Sequence, residues 1–186
     1  MSISRKFYVI YLTLPPYVVG RFQDTTLLQD EHLLKLDEWV GRGKEWKLIY
    51  KATRDGFEGK DFHKACDGKG ENLGVIRSEN GYLFGWWTPL SWQSIGDYAS
   101  DASTFLFMLT NPARVPAKYK VKDAEYALLF NSSCGPFFGF FDLWCNGKGG
   151  LTQFPQYYED TTGRGNETFT GNQVFKVSEM EVFVPL

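Results

Sequence analysis

The chain combines 16 Phe, 10 Tyr and 6 Trp with 19 Gly, so aromatic side chains make up 17% of its 186 residues. Aromatic residues suit the pleated faces of β-strands, and glycine supplies the positive φ angles that tight turns need. A helical bundle of this length would instead be rich in Ala, Leu, Glu and Lys. The composition therefore predicts short strands joined by tight turns.

Turn signals divide the chain into about eight to ten short strand-like segments, and these do not alternate regularly with helices. We therefore predict a mainly β fold with peripheral helices, arranged as a two-sheet antiparallel β-sandwich. The length favours one domain, which we place over residues 22–186. Residues 1–21 are predicted to form an N-terminal extension or strand.

The strongest helix signal lies early in this domain. An apolar stripe at helical spacing is formed by Leu33, Leu34, Leu36, Trp39 and Val40. Asp30 or Gln29 would cap this helix, and Gly41 and Gly43 would end it. A second helical stretch of one or two turns is predicted over residues 61–66.

The clearest strand segments are residues 46–50, 72–77, 82–87, 104–109 and 173–184. Asn80-Gly81 separates the second segment from the third and is a strong hairpin signal. Residues 88–103 are predicted to form a loop. Tyr119 and residues 126–130 are predicted to form a second hairpin-like region.

The formal net charge of −2 argues against nucleic-acid binding, which usually needs a basic surface. The apolar run over residues 7–14 is too short to cross a bilayer. We expect a cytoplasmic monomer without direct membrane insertion. An alternative interpretation takes this run as part of a signal peptide. The chain would then be a secreted carbohydrate-binding β-sandwich, with glycosylation acceptors at Asn131 and Asn166.

The residues that commonly carry chemistry are sparse, so the sequence predicts no enzyme activity, cofactor or metal. The two histidines are His32, expected at the solvated surface, and His63, expected to bond backbone near a turn. His63 and Cys66 have zinc-ligand spacing, but no second ligand pair lies near them in the sequence.

Three cysteines keep a second alternative open. Their odd number and wide spacing do not suggest a disulfide framework. A thiol-based redox protein or enzyme would use Cys66, Cys134 or Cys145, and would need a thiol with a lowered pKa.

Three neighbouring tryptophans could serve in a core, a partner surface or a sugar-stacking platform. They are Trp86, Trp87 and Trp92. The core is the favoured interpretation, because tryptophan buries a large apolar area.

An ordered set of short segments resembles the TLDc domain, in the stand-alone form found in amoebae and other protists. The matching segments are residues 46–50, 54–57, 62–63, 66–68, 73–76, 82–85, 92, 103–107, 135–139, 142–143, 169–171 and 175–183. No single segment is specific, but their order is, and the resemblance covers roughly residues 22–184.

The resemblance implies two antiparallel sheets surrounded by helices. It also implies a non-catalytic protein-interaction domain in oxidative-stress resistance, with the vacuolar proton-pumping ATPase as the expected partner.

The polar and glycine positions that match the family are Asp55, Gly56, Gly85, Asp142, Glu179 and Glu181. The resemblance assigns the four acidic residues to partner binding and the two glycines to backbone geometry. Strand periodicity places Glu179 and Glu181 on one face. It leaves open whether they face solvent, contact a partner or form a buried network.

Overall fold

The computed structural model describes residues 21–41, 43–111 and 115–186. Three α-helices are present in this part of the chain: α1 (Asp30–Val40), α2 (Ala52–Asp55) and α3 (Gly59–Cys66). Its strands are β1 (Phe22–Gln23), β2 (Trp46–Lys51), β3 (Asn72–Ser78), β4 (Leu83–Thr88), β5 (Tyr98–Ala99), β6 (Phe105–Thr110), β7 (Ala117–Lys120), β8 (Leu128–Leu129), β9 (Phe137–Phe138), β10 (Leu143–Asn146), β11 (Gly149–Leu151) and β12 (Val174–Pro185). The mainly β fold with peripheral helices is therefore confirmed.

Two sheets share the long last strand. The large sheet runs in the order β1-β2-β12-β3-β4-β6-β7, and the small sheet runs β5-β8-β9-β10-β11-β12. Neighbouring strands are antiparallel, except that β1 pairs with β2 in parallel. The strand β12 pairs with β11 through residues 174–176 and then with β3 through residues 177–183. This arrangement is the antiparallel β-sandwich that the sequence predicts.

A β-bulge in β12 decides which side chains face the space between the sheets. Phe175 and Val177 lie in the inter-sheet core before the bulge, and Met180 and Val182 lie there after it. An extra residue in one strand reverses the alternation of its side chains. Glu179 and Glu181 consequently face away from the inter-sheet core.

The inter-sheet core is aromatic, and the buried side chain of Asn72 forms a polar centre against its tryptophans. Its side-chain oxygen accepts hydrogen bonds from the indole nitrogens of Trp86 and Trp92, each at 2.9 Å. Its amide nitrogen donates to the carbonyl oxygens of Gly70 at 3.0 Å and Leu90 at 2.8 Å. All hydrogen-bonding positions of this buried amide therefore have partners, as burial of a polar group requires.

The core prediction is confirmed for Trp86 and Trp92, which are buried, so neither can serve as a sugar-stacking platform. Trp87 is half-buried, and its indole nitrogen donates to Glu71 at 2.8 Å.

A second core lies between α1 and the outer face of the large sheet. Leu33, Leu36 and Val40 of α1 pack there with residues of the sheet such as Val75 and Phe183. The helix follows Gln29 and ends at Gly41, as predicted. Gly41 has φ 94°, a conformation that glycine adopts without strain.

The expectation of a solvated His32 is wrong, because this side chain is 6% exposed. His32 occupies the first turn of α1, and its Nδ1 accepts a hydrogen bond from the backbone N–H of Gln29 at 3.1 Å. The ring is therefore held against the helix N-terminus, where unpaired backbone N–H groups need acceptors.

Two segment predictions need correction. Tyr119 and residues 126–130 do not form a hairpin, because β7 pairs with β6, whereas β8 pairs with β5 and β9. A 3-10 helix (Ala124–Tyr126) separates them and directs the chain to the other sheet. Residues 88–103 are predicted as a loop but contain the short strand β5.

Among the described residues, no helix is both long enough and apolar enough to cross a membrane. The predicted N-terminal extension or strand, apart from its last residue, lies outside the described residues, as does the apolar run within it.

Candidate functional site

Three of the four predicted acidic site residues meet around one lysine at the start of α2. Lys51 Nζ lies 3.2 Å from Glu181 Oε1 and 3.9 Å from Glu179 Oε2. The backbone N–H of Lys51 donates to Asp55 Oδ2 at 2.9 Å. Lys51 is opposite Glu181 in the pairing of β2 with β12, so the sheet register creates this meeting point. We call Lys51, Asp55, Glu179 and Glu181 the Lys51 centre.

Glu181 joins the centre to the segment before α1. Its carboxylate accepts hydrogen bonds from the hydroxyl of Thr25 at 2.7 Å, and from the backbone N–H and hydroxyl of Thr26 at 2.9 and 2.8 Å. Its side chain is 0% exposed. A buried carboxylate is tolerated when its lone pairs are satisfied and a cation is close, and both conditions hold here.

Glu179 joins the centre to α2 through similar hydrogen bonds. Its carboxylate accepts hydrogen bonds from the backbone N–H of Thr53 at 3.0 Å and from the Thr53 hydroxyl at 2.5 Å. The residue is 3% exposed, so the solvent-facing alternative is wrong for both glutamates. Together they fix two surface segments to the same strand.

Asp55 and Arg54 form the exposed rim of the centre. Arg54 Nε lies 2.8 Å from Asp55 Oδ1, and an Arg54 terminal nitrogen lies 2.7 Å from Asp55 Oδ2, so the pair is bidentate. The hydrogen bond from Arg54 lowers the pKa of the Asp55 carboxyl below its ordinary value. The rim therefore presents a fixed pair of opposite charges to solvent.

Sequence reasoning missed the partners that hold these acids. They are Thr25, Thr26, Lys51 and Thr53. Lys51 carried no distinguishing signal, since Lys47 is a second lysine in the same strand segment. The threonines carried none, because Thr25 and Glu181 are 156 residues apart in the chain.

Asp142 lies apart from the Lys51 centre, between β9 and β10 in the small sheet. Its carboxylate accepts hydrogen bonds from the backbone N–H groups of Gln156 at 2.6 Å and Tyr157 at 2.8 Å. The residue is 0% exposed. Burial raises the pKa of this carboxyl to about 6, although the two N–H donors act in the opposite direction. Asp142 therefore anchors the segment over residues 153–158.

The raised pKa predicts a pH dependence of stability. Between about pH 4 and pH 6 the folded state holds a proton on Asp142 that the unfolded state lacks. The cost of the buried charge is therefore present above pH 6 and is relieved as the pH falls. We expect the unfolding free energy of wild type minus that of Asp142→Asn to increase by roughly 2–3 kcal/mol from pH 7 to pH 4, measured by urea unfolding at each pH.

Asp55→Asn serves as a control whose difference from wild type should stay flat from pH 7 to pH 4. The pKa of Asp55 is lowered, so the stabilisation from its charge is fully present above the ordinary Asp pKa and is lost only as the pH falls below that value. The effect should be small because solvent screens this exposed pair. A difference for Asp142→Asn that stays flat across this range would contradict the assignment.

His63 holds α3 against the segment that precedes β9. Its Nε2 lies 2.9 Å from the carbonyl oxygen of Asn131 and 3.1 Å from that of Cys134, and its Nδ1 lies 2.7 Å from Asp67 Oδ1. Carbonyl oxygens only accept hydrogen bonds, so Nε2 is protonated and donates. The predicted structural role of His63 is confirmed, although the backbone it bonds belongs to a distant segment.

The three cysteine side chains are buried. Burial raises the pKa of each thiol, and most strongly those of Cys66 and Cys145. The thiolate is the reactive form, so these groups are poor nucleophiles at neutral pH. This environment is the opposite of the one that the thiol-based redox alternative needs.

Both predicted structural glycines stand where a side chain would collide. A Cβ atom on Gly56 would lie 2.1 Å from Asp61 Oδ2, and the residue has φ 111°. A Cβ atom on Gly85 would lie 1.9 Å from the carbonyl oxygen of Gly74 in the neighbouring strand. Gly56 thus serves a turn, whereas Gly85 serves a close approach of two strands.

The family model of the TLDc domain matches residues 22–185. The chain belongs to the TLDc domain family, as its sequence resemblance indicates. This family is related to oxidative stress and is generally non-catalytic. The presence of a TLDc domain suggests a protein-interaction role.

Proposed function

We propose that this protein is a non-catalytic interaction domain that acts in the cytoplasm in oxidative-stress resistance by binding subunits of the vacuolar proton-pumping ATPase. The partner would bind the exposed surface over the Lys51 centre. Asp55 and the neighbouring Arg54 would contact the partner, whereas Glu179 and Glu181 would hold that surface in shape. Asp142 would organise a second segment away from this contact.

The observation that carries the proposal is the contrast between the inside and the outside of the Lys51 centre. Inside, the carboxylates of Glu179 and Glu181 are hydrogen-bonded to two separate surface segments. Outside, the side chain of Arg54 is 52% exposed. A partner that meets a surface already held in its bound shape loses little conformational entropy on binding.

The same contrast favours binding over chemistry. The buried carboxylates of the centre are held by hydrogen bonds and by Lys51, so their lone pairs are used for structure. The pKa of each cysteine thiol is raised by burial, which disfavours the redox alternative. These observations support a surface that recognises a protein.

The proposal is tested by affinity capture of a tagged copy from cytosol of its own cell type, with and without peroxide. We expect mass spectrometry to identify peripheral subunits of the proton pump with wild type. Arg54→Glu should lower their recovery at least about fivefold, because it reverses a charge on the proposed contact. The Arg54–Asp55 pair is exposed, so the fold should tolerate this change.

Lys120→Glu is the matched control. Lys120 is exposed on β7, which forms the edge of the large sheet far from β2. Reversing the charge at Lys120 should leave recovery of the pump subunits unchanged. Wild type that captures no pump subunit would refute the pump as partner. Equal recovery with both variants would refute the Lys51 centre as the contact.

A further inference from the structure

The outward face of the small sheet carries a row of apolar side chains, although the solvent side of an antiparallel sheet is normally polar. Leu128 and Phe138 are paired and face the inter-sheet core. The next residue of β8, Leu129, and the preceding residue of β9, Phe137, therefore face outward. The pairings of the other strands continue this face in both directions. We call its six side chains the outer row: Tyr98, Leu129, Phe137, Trp144, Leu151 and Val174.

The turn between β9 and β10 adds two aromatic rings to the outer row. The ring centroids of Phe141 and Phe137 are 4.7 Å apart, and those of Phe140 and Phe141 are 5.2 Å apart. Phe140 is 51% exposed. Tyr98 and Val174, at the two ends of the row, are 38% and 70% exposed. Part of the row is therefore open to solvent, and an exposed apolar surface of this kind commonly marks an interaction site.

The same turn holds Phe141 in an unfavourable backbone conformation. Its φ is 63°, which lies in the left-handed region that bulky residues rarely adopt. The turn is fixed from beneath by Asp142, whose carboxylate binds the backbone N–H groups of Gln156 and Tyr157. Residues in such conformations persist where the surrounding structure fixes them, and they cluster at binding and active sites. The two phenylalanines are therefore presented to solvent in a fixed position.

The dimensions of the outer row limit what can cover it. Six strands spaced about 4.8 Å apart give a row roughly 24 Å long. The strands β5 and β8 to β11 have only two to four residues, so the row is roughly 10 Å wide. Its area is much smaller than the roughly 800 Å² that each partner contributes to a stable protein–protein interface. The row fits one extended peptide of about eight residues better than a second copy of this chain.

The backbone of the small sheet decides which kind of peptide fits best. Strands β8 to β11 are each paired on both sides, so a peptide that lies on their face cannot pair its N–H groups with them. Burial of an amide N–H without an acceptor is unfavourable. Proline has no backbone N–H, and proline-rich segments already adopt the extended polyproline II conformation. A proline-rich segment therefore loses least when it lies across the outer row.

Three tyrosines at the β5 end of the row supply hydrogen-bond donors. The ring centroids of Tyr98 and Tyr126 are 5.2 Å apart, and those of Tyr126 and Tyr157 are 4.8 Å apart. Within the described part of the chain, the hydroxyl groups of these three tyrosines have no hydrogen-bond partner. The carbonyl oxygens of a polyproline II segment have no internal partner either and can accept from such hydroxyls. Surfaces lined with aromatic side chains are a recurring means of recognising this conformation.

We propose that the outer row and the tyrosines beside it bind a proline-rich peptide segment of a partner protein. The prolines pack on the aromatic rings, and a peptide carbonyl oxygen accepts a hydrogen bond from the Tyr98 hydroxyl. The row itself has no charged side chain, so the bound segment is uncharged. The Lys51 centre lies on β2 and on the part of β12 that belongs to the large sheet, so this site does not depend on the proposed function.

The test is an NMR titration of the full chain with octaproline that is acetylated at its N-terminus and amidated at its C-terminus. We expect saturable shifts of the Trp144 indole N–H and of the backbone amides of Tyr98 and Phe140. An octapeptide of alternating glycine and serine should bind at least about tenfold more weakly, because its N–H groups would be buried without acceptors. Equal binding of the two peptides, or no saturable shift with octaproline, would overturn the proposal.

Three variants test where the peptide binds. Phe140→Asp changes an exposed side chain and should weaken octaproline binding at least about tenfold. Tyr98→Phe keeps the ring but removes the hydroxyl, and should weaken binding roughly three- to tenfold. Leu186→Asp is the matched control, since Leu186 is exposed beyond the opposite end of β12, and it should leave binding unchanged. If Phe140→Asp bound octaproline as well as Leu186→Asp does, the outer row would not be the site.

Two further titrations examine other occupants of the outer row. The same spectra are recorded with phosphatidylcholine vesicles, and with the protein alone at rising concentration. We expect neither condition to shift the signals of Trp144 and Phe140. Shifts caused by vesicles or by self-association, without a response to octaproline, would assign the row to a bilayer or to a second copy and would overturn the proposal.

Discussion

Glu181→Ala is expected to lower the free energy of unfolding by roughly 2–4 kcal/mol, measured by urea unfolding followed by circular dichroism. The change removes the acceptor for Thr25, Thr26 and Lys51. The Lys51 ammonium then remains largely buried without the carboxylate of Glu181. A buried ion pair is harmful to break because the remaining charge stays desolvated. The loss should be accompanied by faster hydrogen exchange in the segment before α1.

Glu181→Gln separates the charge from the shape of this side chain. It keeps one carbonyl acceptor of nearly the same size, so its effect should lie between those of wild type and Glu181→Ala. Glu125→Ala is the surface control, because Glu125 is exposed and should change stability by less than about 0.5 kcal/mol. If Glu181→Ala were as mild as Glu125→Ala, the carboxylate would not organise the Lys51 centre.

Gly85→Ala is expected to destabilise the fold by roughly 3 kcal/mol or more, or to prevent recovery of soluble protein. The new Cβ would lie 1.9 Å from the carbonyl oxygen and 2.9 Å from the carbonyl carbon of Gly74. Both atoms belong to the backbone of β3 and cannot rotate away, so β3 and β4 must separate. Equilibrium unfolding of purified protein, together with the soluble fraction after expression, measures the effect.

Gly149→Ala provides the matched control for a glycine within a strand. A Cβ atom there would meet only the carbonyl oxygen of Asn146, at an ordinary contact distance of 3.4 Å. We expect a change below about 1 kcal/mol. Comparable losses for Gly149→Ala and Gly85→Ala would indicate a general intolerance of strand glycines rather than the contact with Gly74.

The local elements were largely predictable because each depends on a short pattern. The apolar stripe of α1 and the Asn80-Gly81 turn act over a few residues, and the structure contains both the helix and the β3–β4 hairpin. The predicted hairpin of Tyr119 with residues 126–130 was wrong, because pairing between strands does not depend on a short local pattern. Two apolar segments close in sequence carry no local information about which sheet each one joins.

The acidic residues show a similar division. The family resemblance was enough to single out Asp55, Asp142, Glu179 and Glu181, but it could not tell which of them lie together. The structure brings three of them to Lys51 and leaves Asp142 in the other sheet. His32 was misjudged because its acidic neighbours suggested a solvated surface, whereas capping of α1 holds the ring inside.

By itself, the sequence determined the mainly β class, the position of the first helix and the membership of a family, since composition, periodicity and motif order are properties of the chain. Only the tertiary structure decided the surroundings of Glu179 and Glu181. The bulge between Val177 and Glu179 turns both side chains away from the inter-sheet core, and the register of β12 against β2 places Lys51 opposite Glu181. Bulge and register depend on how distant strands fit together, and alternation within one strand does not specify that fit.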